Sequence, residues 1–274
     1  MTETEDAYIS APVQRAARLL RHIGEGDAVT NMADTARRIG INRTTLLRLL
    51  RTLEAERFIE RRGGGELGWR IGTGLIGLAA QAFYSDDLVQ VAVPVLTRLA
   101  DTLGLSAHLG VLDGREVVYV VRRVPNLAFA SNIRVGSRLP AHAANMGRII
   151  LAHLGEEAVR HLFGKDALAA ATPHTPTNLD ALLERLATDR AAGLAWSDGH
   201  YEAGIGSVAA AVLDATGAPV AALNVSGARD SFVGEARRAE IGRAVLAAAR
   251  EISARLGWTG AGHSASGAHL RVVA

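Results

Sequence analysis

Thr44, Arg48 and Arg51 fall at helical spacing on one face, with Arg43 and Thr45 beside them and Asn42 just ahead. A guanidinium is a planar fork of N–H donors that matches the O6 and N7 acceptors of guanine. A threonine can bond a phosphate or touch a thymine methyl. Arg61 and Arg62 follow further along the chain, where they would meet backbone phosphate or the minor groove. These residue types in this order point to double-stranded DNA. A solvated arginine-rich helix face is the competing reading. The elements that would carry the residues decide between the two.

The stretch "ARRIGINRTTLLRLL", residues 36–50, supplies those elements. One helix is expected over 32–39, capped by Thr30 or Asn31, and a second over 42–56, capped by Asn42. Leu46, Leu49, Leu50 and Leu53 form the buried stripe of the second helix. Ala36 is small where two helices cross, and Gly40 supplies the left-handed backbone of a turn between them. Ile39 and Ile41, with Leu46 and Leu49, would lock the crossing angle. Behind the pair, strand-like runs at 58–62 and 69–71 flank a triple glycine and read as a β-hairpin. Ahead of it a helix over 12–24 is expected, with Val13, Ala16, Ala17 and Leu20 as its apolar face. Together these make a winged helix-turn-helix, whose second helix enters the major groove. Leu47 alone stands out of pattern, an apolar residue on the outward face that would touch a thymine methyl, the wing or a partner.

Charge agrees with this assignment. Residues 11–72 hold twelve arginines and seven acids, a net +5, while the remaining chain is −3. A positive unit on a mildly negative body suits a polyanion partner. There is no cysteine, which excludes disulfides and thiolate metal sites and makes a reducing cytoplasm the default compartment. No apolar run approaches the roughly 18 residues of a membrane helix, and the polar start "MTETEDAYIS" does not read as a signal peptide.

Residues 1–10 and 258–274 read as tails, 11–72 as the DNA-binding domain, 73–90 as a linker helix and 91–257 as a second domain. In the linker, apolar residues at 75, 78, 79, 82 and 83 share a face that needs packing from a partner. Beyond it, 86–104 reads as a helix with Pro94 inside. "SAHLGVLDGREVVYVVRRV" reads as a hairpin turning at Asp113-Gly114 in a type I′ turn. A strand is expected near 129–135, then a loop into a helix at "NMGRIILAHL", a helix capped by Asn178, strands over 207–214 and 219–227, and a closing helix over 235–256. The fold class is α+β.

"NRTTLLRLLRTLEAERFIERR", followed by "WRIG", then "VGSRLPAHAANMGRIILA" and "DGHYEAGIGSVAAAVLDATGAPVAALNVSG", resemble the IclR family of bacterial transcriptional regulators from Val13 to Leu256. The resemblance implies a GAF-like α/β effector-binding domain, homodimers formed through the DNA-binding domains and linker, often homotetramers, and a pseudo-palindromic operator. It places an effector pocket among Asn145 and Met146, Ser197 and Asp198, Ile205 and Ser207, and Asn224 and Ser226. The spacing fits: Asn224 and Ser226 are two apart on a strand and share a face, and "NMGR" can aim helix N-terminal N–H groups at an anion. The wording is closest to regulators that sense protocatechuate, 4-hydroxybenzoate and related β-ketoadipate-pathway compounds, which implies an aromatic or keto carboxylate. Arg148 stands where many members carry lysine. Arg134 would clamp a carboxylate or serve structure only. His108 and His142 would bond the effector or sit satisfied in the core.

Two other function classes are weighed. Asp198, His200 and Ser207 offer the parts of a hydrolytic triad, but no G-x-S-x-G elbow accompanies them. His153 and His161 are eight apart, against the three or four of helical metal ligands. Neither an enzyme nor a metal or other cofactor is expected. The remaining alternative is a small-molecule sensor or hydrolase-like enzyme without specific DNA binding.

Overall fold

The structure is a computed structural model that describes residues 9–63, 67–85, 87–125, 133–164, 166–202 and 204–260. Most of both expected tails, and the Gly64-Gly65 part of the triple glycine, lie outside these residues. The chain divides into two compact units, Met1–Ser85 and Asp86–Ala274.

In the first unit α1 is Ala11–Gly24, α2 Met32–Arg38, α3 Arg43–Ala55, β1 Ile59–Arg61, β2 Trp69–Ile71 and α4 Thr73–Ser85. Asparagines start both short helices. The Asn31 side chain accepts from the Ala33 amide at 3.0 Å, and that of Asn42 accepts from the Thr45 amide at 2.7 Å, satisfying donors that have no intrahelical partner. Gly40, at φ +70°, ends α2, and the Ile41 amide reaches back to the Ala36 carbonyl at 2.9 Å. That backbone is strained for any residue with a Cβ. Leu46, Leu50 and Leu53 are buried against Leu19, Ile23, Ala36, Ile39, Ile59 and Trp69, with Leu49 half-buried beside them. The face of α1 is as expected in part: Ala16 and Leu20 pack half-buried against this core, Leu19 and Ile23 are its buried residues, and Val13 in the first turn is 66% exposed. β1 and β2 pair antiparallel, Ile59 opposite Ile71 and Arg61 opposite Trp69.

Of the expected linker, Thr73–Ser85 is α4 in the first compact unit, residue 86 lies outside the described residues, and residues 87–90 belong to α5 of the second unit. Ile76 and Leu78 of α4 are exposed.

The second unit runs α5 Asp87–Leu103, β3 Ser106–Asp113, β4 Glu116–Arg123, β5 Arg138–Pro140, α6 Asn145–Leu154, α7 Glu156–Phe163, α8 Leu179–Ala192, β6 Ala195–Asp198, β7 Ile205–Leu213, β8 Pro219–Ala228, a 3₁₀ turn Arg229–Phe232 and α9 Glu235–Arg255. Its six strands form one antiparallel sheet ordered β5-β4-β3-β8-β7-β6. Met146 and Ile149 of α6 cover one face, over Tyr119, Ala209 and Ala222. α5 and α9 pack together on the opposite face, α5 against β3 and α9 against β7. The N-terminal unit and this sheet-and-helix unit make the fold α+β.

Two local expectations are corrected. Asp113 pairs with Glu116, so the hairpin loop is Gly114-Arg115, with positive φ at Gly114 alone; this is the requirement of a II′ turn rather than I′. Within the expected strand 129–135, residues 129–132 lie outside the described ones. Arg134 and Ser137 form a turn, and the strand follows at Arg138–Pro140. Two elements had no clear signal, the short α7 and the four-residue edge strand β6.

Candidate DNA-reading surface and effector pocket

On α3 the side chains opposite the leucine stripe face solvent: Arg43, Thr44, Arg48 and Arg51 are exposed, and Thr45 is half-buried. Among the described residues none of these three arginines meets a carboxylate. An unpaired guanidinium keeps its full donor set for a partner. The wing is different. Arg61 donates from Nε to Glu54 at 3.2 Å and lies 3.8 Å above the Trp69 ring, so its charge is already oriented. Arg62 is half-buried, and its amide closes the wing onto the Gly68 carbonyl at 3.1 Å. Leu47 is 42% exposed on the reading face.

The second unit holds a pocket of about 450 Å³, its mouth included, between the N-terminus of α6 and one sheet face. Strand register explains the lining. Ser197, Ser207, Ser226 and Ser106 stand opposite one another across β6, β7, β8 and β3. Cross-strand partners share a face, so this is a row of small hydroxyl side chains, all buried. Ser197, Ser207, Ser226, Asn145, Ile205 and Asn224, expected from the sequence, line the pocket together with Tyr119, Ile133, Leu139, Ala144, Tyr201 and Glu202. Those six were not anticipated. Tyr119 sits on a strand whose alternation gives its face, yet its distance in sequence from the "NMGR" and β8 segments hides the meeting.

Asn145 donates from Nδ2 to Ser207 Oγ at 3.0 Å and accepts from Asn224 Nδ2 at 3.2 Å. The Ser226 hydroxyl is buried without a partner among the described residues. The N-terminus of α6 has no side-chain cap, so first-turn N–H groups and the positive end of the helix dipole lie beside Ala144 and Asn145 in the wall. Among the described residues Glu202 is the one ionisable carboxylate of the lining, and no arginine or lysine joins it. Burial pushes the Tyr119 hydroxyl pKa up, with the nearby Tyr201 acting in the same direction, so it is a neutral phenol.

Five expected residues lie elsewhere. His108 is fully buried behind the wall, with Nδ1 at 2.9 Å from Asn224 Oδ1 and its ring edge-on to Tyr119. Burial lowers its pKa to about 4. Met146 packs in the core because its helical position points down to Val117 and Ile149. Asp198 pairs with Arg238 at 3.3 Å, drawn aside by the guanidinium that also covers Trp196. Arg134 is exposed in the turn before β5. His142 donates from Nε2 to the Ala169 carbonyl at 2.9 Å and is a satisfied core residue.

Arg148 is wholly buried. Its Nε donates to Asp189 at 2.8 Å and its Nη2 to the Trp196 carbonyl at 2.6 Å, joining α6 to α8 and β6. The triad is not assembled: Ser207 bonds Asn145, the His200 ring accepts from the Asp198 amide, and the Asp198 carboxylate faces Arg238. Among the described residues no three His, Asp or Glu side chains come together as metal ligands.

The IclR helix-turn-helix domain matches residues 12–63, and the bacterial transcriptional regulator IclR C-terminal domain matches residues 80–254. The chain is 33% identical over 215 residues to the HTH-type transcriptional regulator XynR of Escherichia coli K12, covering 78% of this chain and 84% of that one. It is 30% identical over 246 residues to the transcriptional repressor IclR of the same strain, covering 89% of each. Among solved structures, the IclR transcriptional regulator from Alicyclobacillus acidocaldarius superposes with a TM-score of 0.81 at 28% identity, over 91% of this chain and all of that one. An IclR homologue from Microbacterium hydrocarbonoxydans, complexed with 4-hydroxybenzoate, superposes with a TM-score of 0.77 at 26% identity, over 90% of this chain and 99% of that one. With both domain models matched in order and relatives of this kind over most of its length, the chain belongs to the IclR family of DNA-binding transcriptional regulators.

Proposed function

We propose that the protein reads a pseudo-palindromic operator through Asn42, Arg43, Thr44, Thr45, Arg48 and Arg51, with Arg61 and Arg62 on flanking phosphate or the minor groove, and that a small aromatic carboxylate controls it. The buried Ser226 hydroxyl with no protein partner, in the wall beside the uncapped N-terminus of α6, carries the effector reading. Such a group is costly to leave unmade and is answered by a ligand or water. With no cation among the described residues of the wall, a carboxylate is held by hydroxyl donors and the helix dipole. Glu202, a carboxylate in the lining, favours a ligand that also carries a hydrogen-bond donor, such as a phenol. The homologue complexed with 4-hydroxybenzoate supports that class.

The active form is a cytoplasmic homodimer or homotetramer. Exposed Ile76 and Leu78 on α4 support burial against a second copy. Effector and operator sites are coupled by about 1–3 kcal/mol, or roughly 5- to 150-fold in affinity.

Calorimetric titration of the full chain with 4-hydroxybenzoate, protocatechuate and short keto acids tests the pocket. At least one acid should bind the wild type, and Ser226→Val should abolish that binding while leaving effector-free DNA binding intact. An acid that binds the variant as well as the wild type would place the effector elsewhere.

A further inference from the structure

His108 stands at the end of a directed chain of hydrogen bonds. Its Nδ1 lies 2.9 Å from Asn224 Oδ1, Asn224 Nδ2 donates to Asn145 Oδ1 at 3.2 Å, and Asn145 Nδ2 donates to Ser207 Oγ at 3.0 Å. A side-chain amide is a donor at one end and an acceptor at the other. The orientation of each amide therefore fixes that of the next. With the Asn224 carbonyl towards the ring, Nδ1 must carry the hydrogen, and Ser207 accepts from Asn145. The Ser207 hydroxyl proton is then free, and this residue lines the pocket.

The reversed chain is equally continuous. It has a lone pair on Nδ1, both amides turned over, and the Ser207 proton spent on Asn145. The pocket would then meet only lone pairs at Ser207. One polarity suits an anion and the other repels it.

The far side of the imidazole separates the two. His108 Nε2 is buried with no partner among the described residues. In the first polarity it is a bare lone pair, and in the second it is an N–H stranded in a dry core. Orphaned buried donors are the rarer of the two in folded proteins. The positive charge of Arg122, opposite His108 on β4, disfavours the imidazolium and leaves the choice of tautomer to the hydrogen bonds. Burial holds the ring neutral, with a pKa of about 4, so the question is one of tautomer and not of charge.

We propose that His108, though behind the pocket wall, is a positioning residue whose Nδ1–H sets the relay through Asn224 and Asn145 so that Ser207 presents a donor, making the pocket select a carboxylate over the matching neutral amide. This rests on the reading of the pocket as the effector site. Ser226, directly opposite Ser207 and itself unpartnered, supplies a second hydroxyl to the same carboxylate. An amide ligand would turn its NH₂ towards these donors and lose one of the bonds.

The test uses the full chain in two arms. Nitrogen-15 NMR of the unliganded protein, with the His108 signal assigned by its loss in His108→Leu, should show hydrogen on Nδ1. Hydrogen on Nε2 would overturn the relay. Affinities are then compared for pairs that differ only in carboxylate against amide, 4-hydroxybenzoate with 4-hydroxybenzamide and pyruvate with pyruvamide. The wild type should favour the acid by about tenfold or more. His108→Asn, which can keep an N–H donor at the δ position, should preserve that preference. His108→Asp, which offers only acceptors there, and His108→Leu should bring the ratio to within about twofold. An unchanged ratio in both of the last two variants contradicts the proposal. If the wild type binds none of the four compounds, the effector reading of the pocket is what fails, and the tautomer still decides the polarity of the relay.

Discussion

At the scale of single residues, the arginines of α3 and the histidine behind the pocket serve opposite ends of the protein's chemistry. Arg48 is exposed and meets no carboxylate among the described residues, so its guanidinium is available for two bonds to one guanine. Arg48→Ala should cost about 1–3 kcal/mol at the operator and relax specificity at one base position, which competition between single-base operator variants would show. A uniform loss on every sequence would make Arg48 a phosphate contact. His108 gives a prediction in pH. Its pKa is lowered to about 4 from the 6.5 of an unfolded chain. The unfolded state therefore takes up the proton first, and the stabilising contribution is fully present above pH 6.5 and lost as pH falls towards 4. Between pH 7 and pH 5 the wild type should lose about 2 kcal/mol more than His108→Asn in urea unfolding. Equal losses would mean that His108 titrates as it does in water.

At the scale of elements, legibility followed the locality of the signal. The helix-turn-helix could be read because Asn42, Gly40 and the Leu46–Leu50–Leu53 stripe each act within a few residues of themselves. Asn42 caps α3 through the Thr45 amide, and Asn42→Ala should destabilise the protein by about 1 kcal/mol, visible in thermal unfolding, while losing the helix start that positions Arg43 and Thr44. An unchanged unfolding midpoint would leave the cap without a thermodynamic role. The II′ turn was missed because Asp113-Gly114 and Gly114-Arg115 differ by one residue in register, and the strands, not the turn dipeptide, settle that choice. The boundary between linker and second unit is not legible in the sequence because helical periodicity continues from α4 into α5. The pocket was half legible. Asn224 and Ser226 share a face by alternation alone, but Tyr119, Leu139 and Glu202 arrive through sheet order and a loop that no local pattern encodes. Met146 and Asp198 were misplaced for the same reason, since helix phase and the Arg238 partner turn them away.

At the scale of the whole molecule, a positively charged first quarter is joined to a pocket-bearing unit, and the family assignment makes the protein a regulator. Its DNA affinity should fall steeply with salt, since each phosphate contact releases a counterion with a slope of about 0.9 in log–log form; a flat dependence would remove phosphate contacts from the account. The central claim is that one ligand event in the pocket changes what happens at the operator. The most direct measurement is fluorescence anisotropy of DNA from upstream of the protein's own gene, titrated with full-length protein in the presence and absence of 4-hydroxybenzoate, protocatechuate, catechol, β-ketoadipate and short keto acids. The account predicts tight, salt-sensitive binding that one acid shifts by about 5-fold or more and that Ser226→Val no longer lets it shift. Specific binding that every one of these compounds leaves unchanged would contradict it.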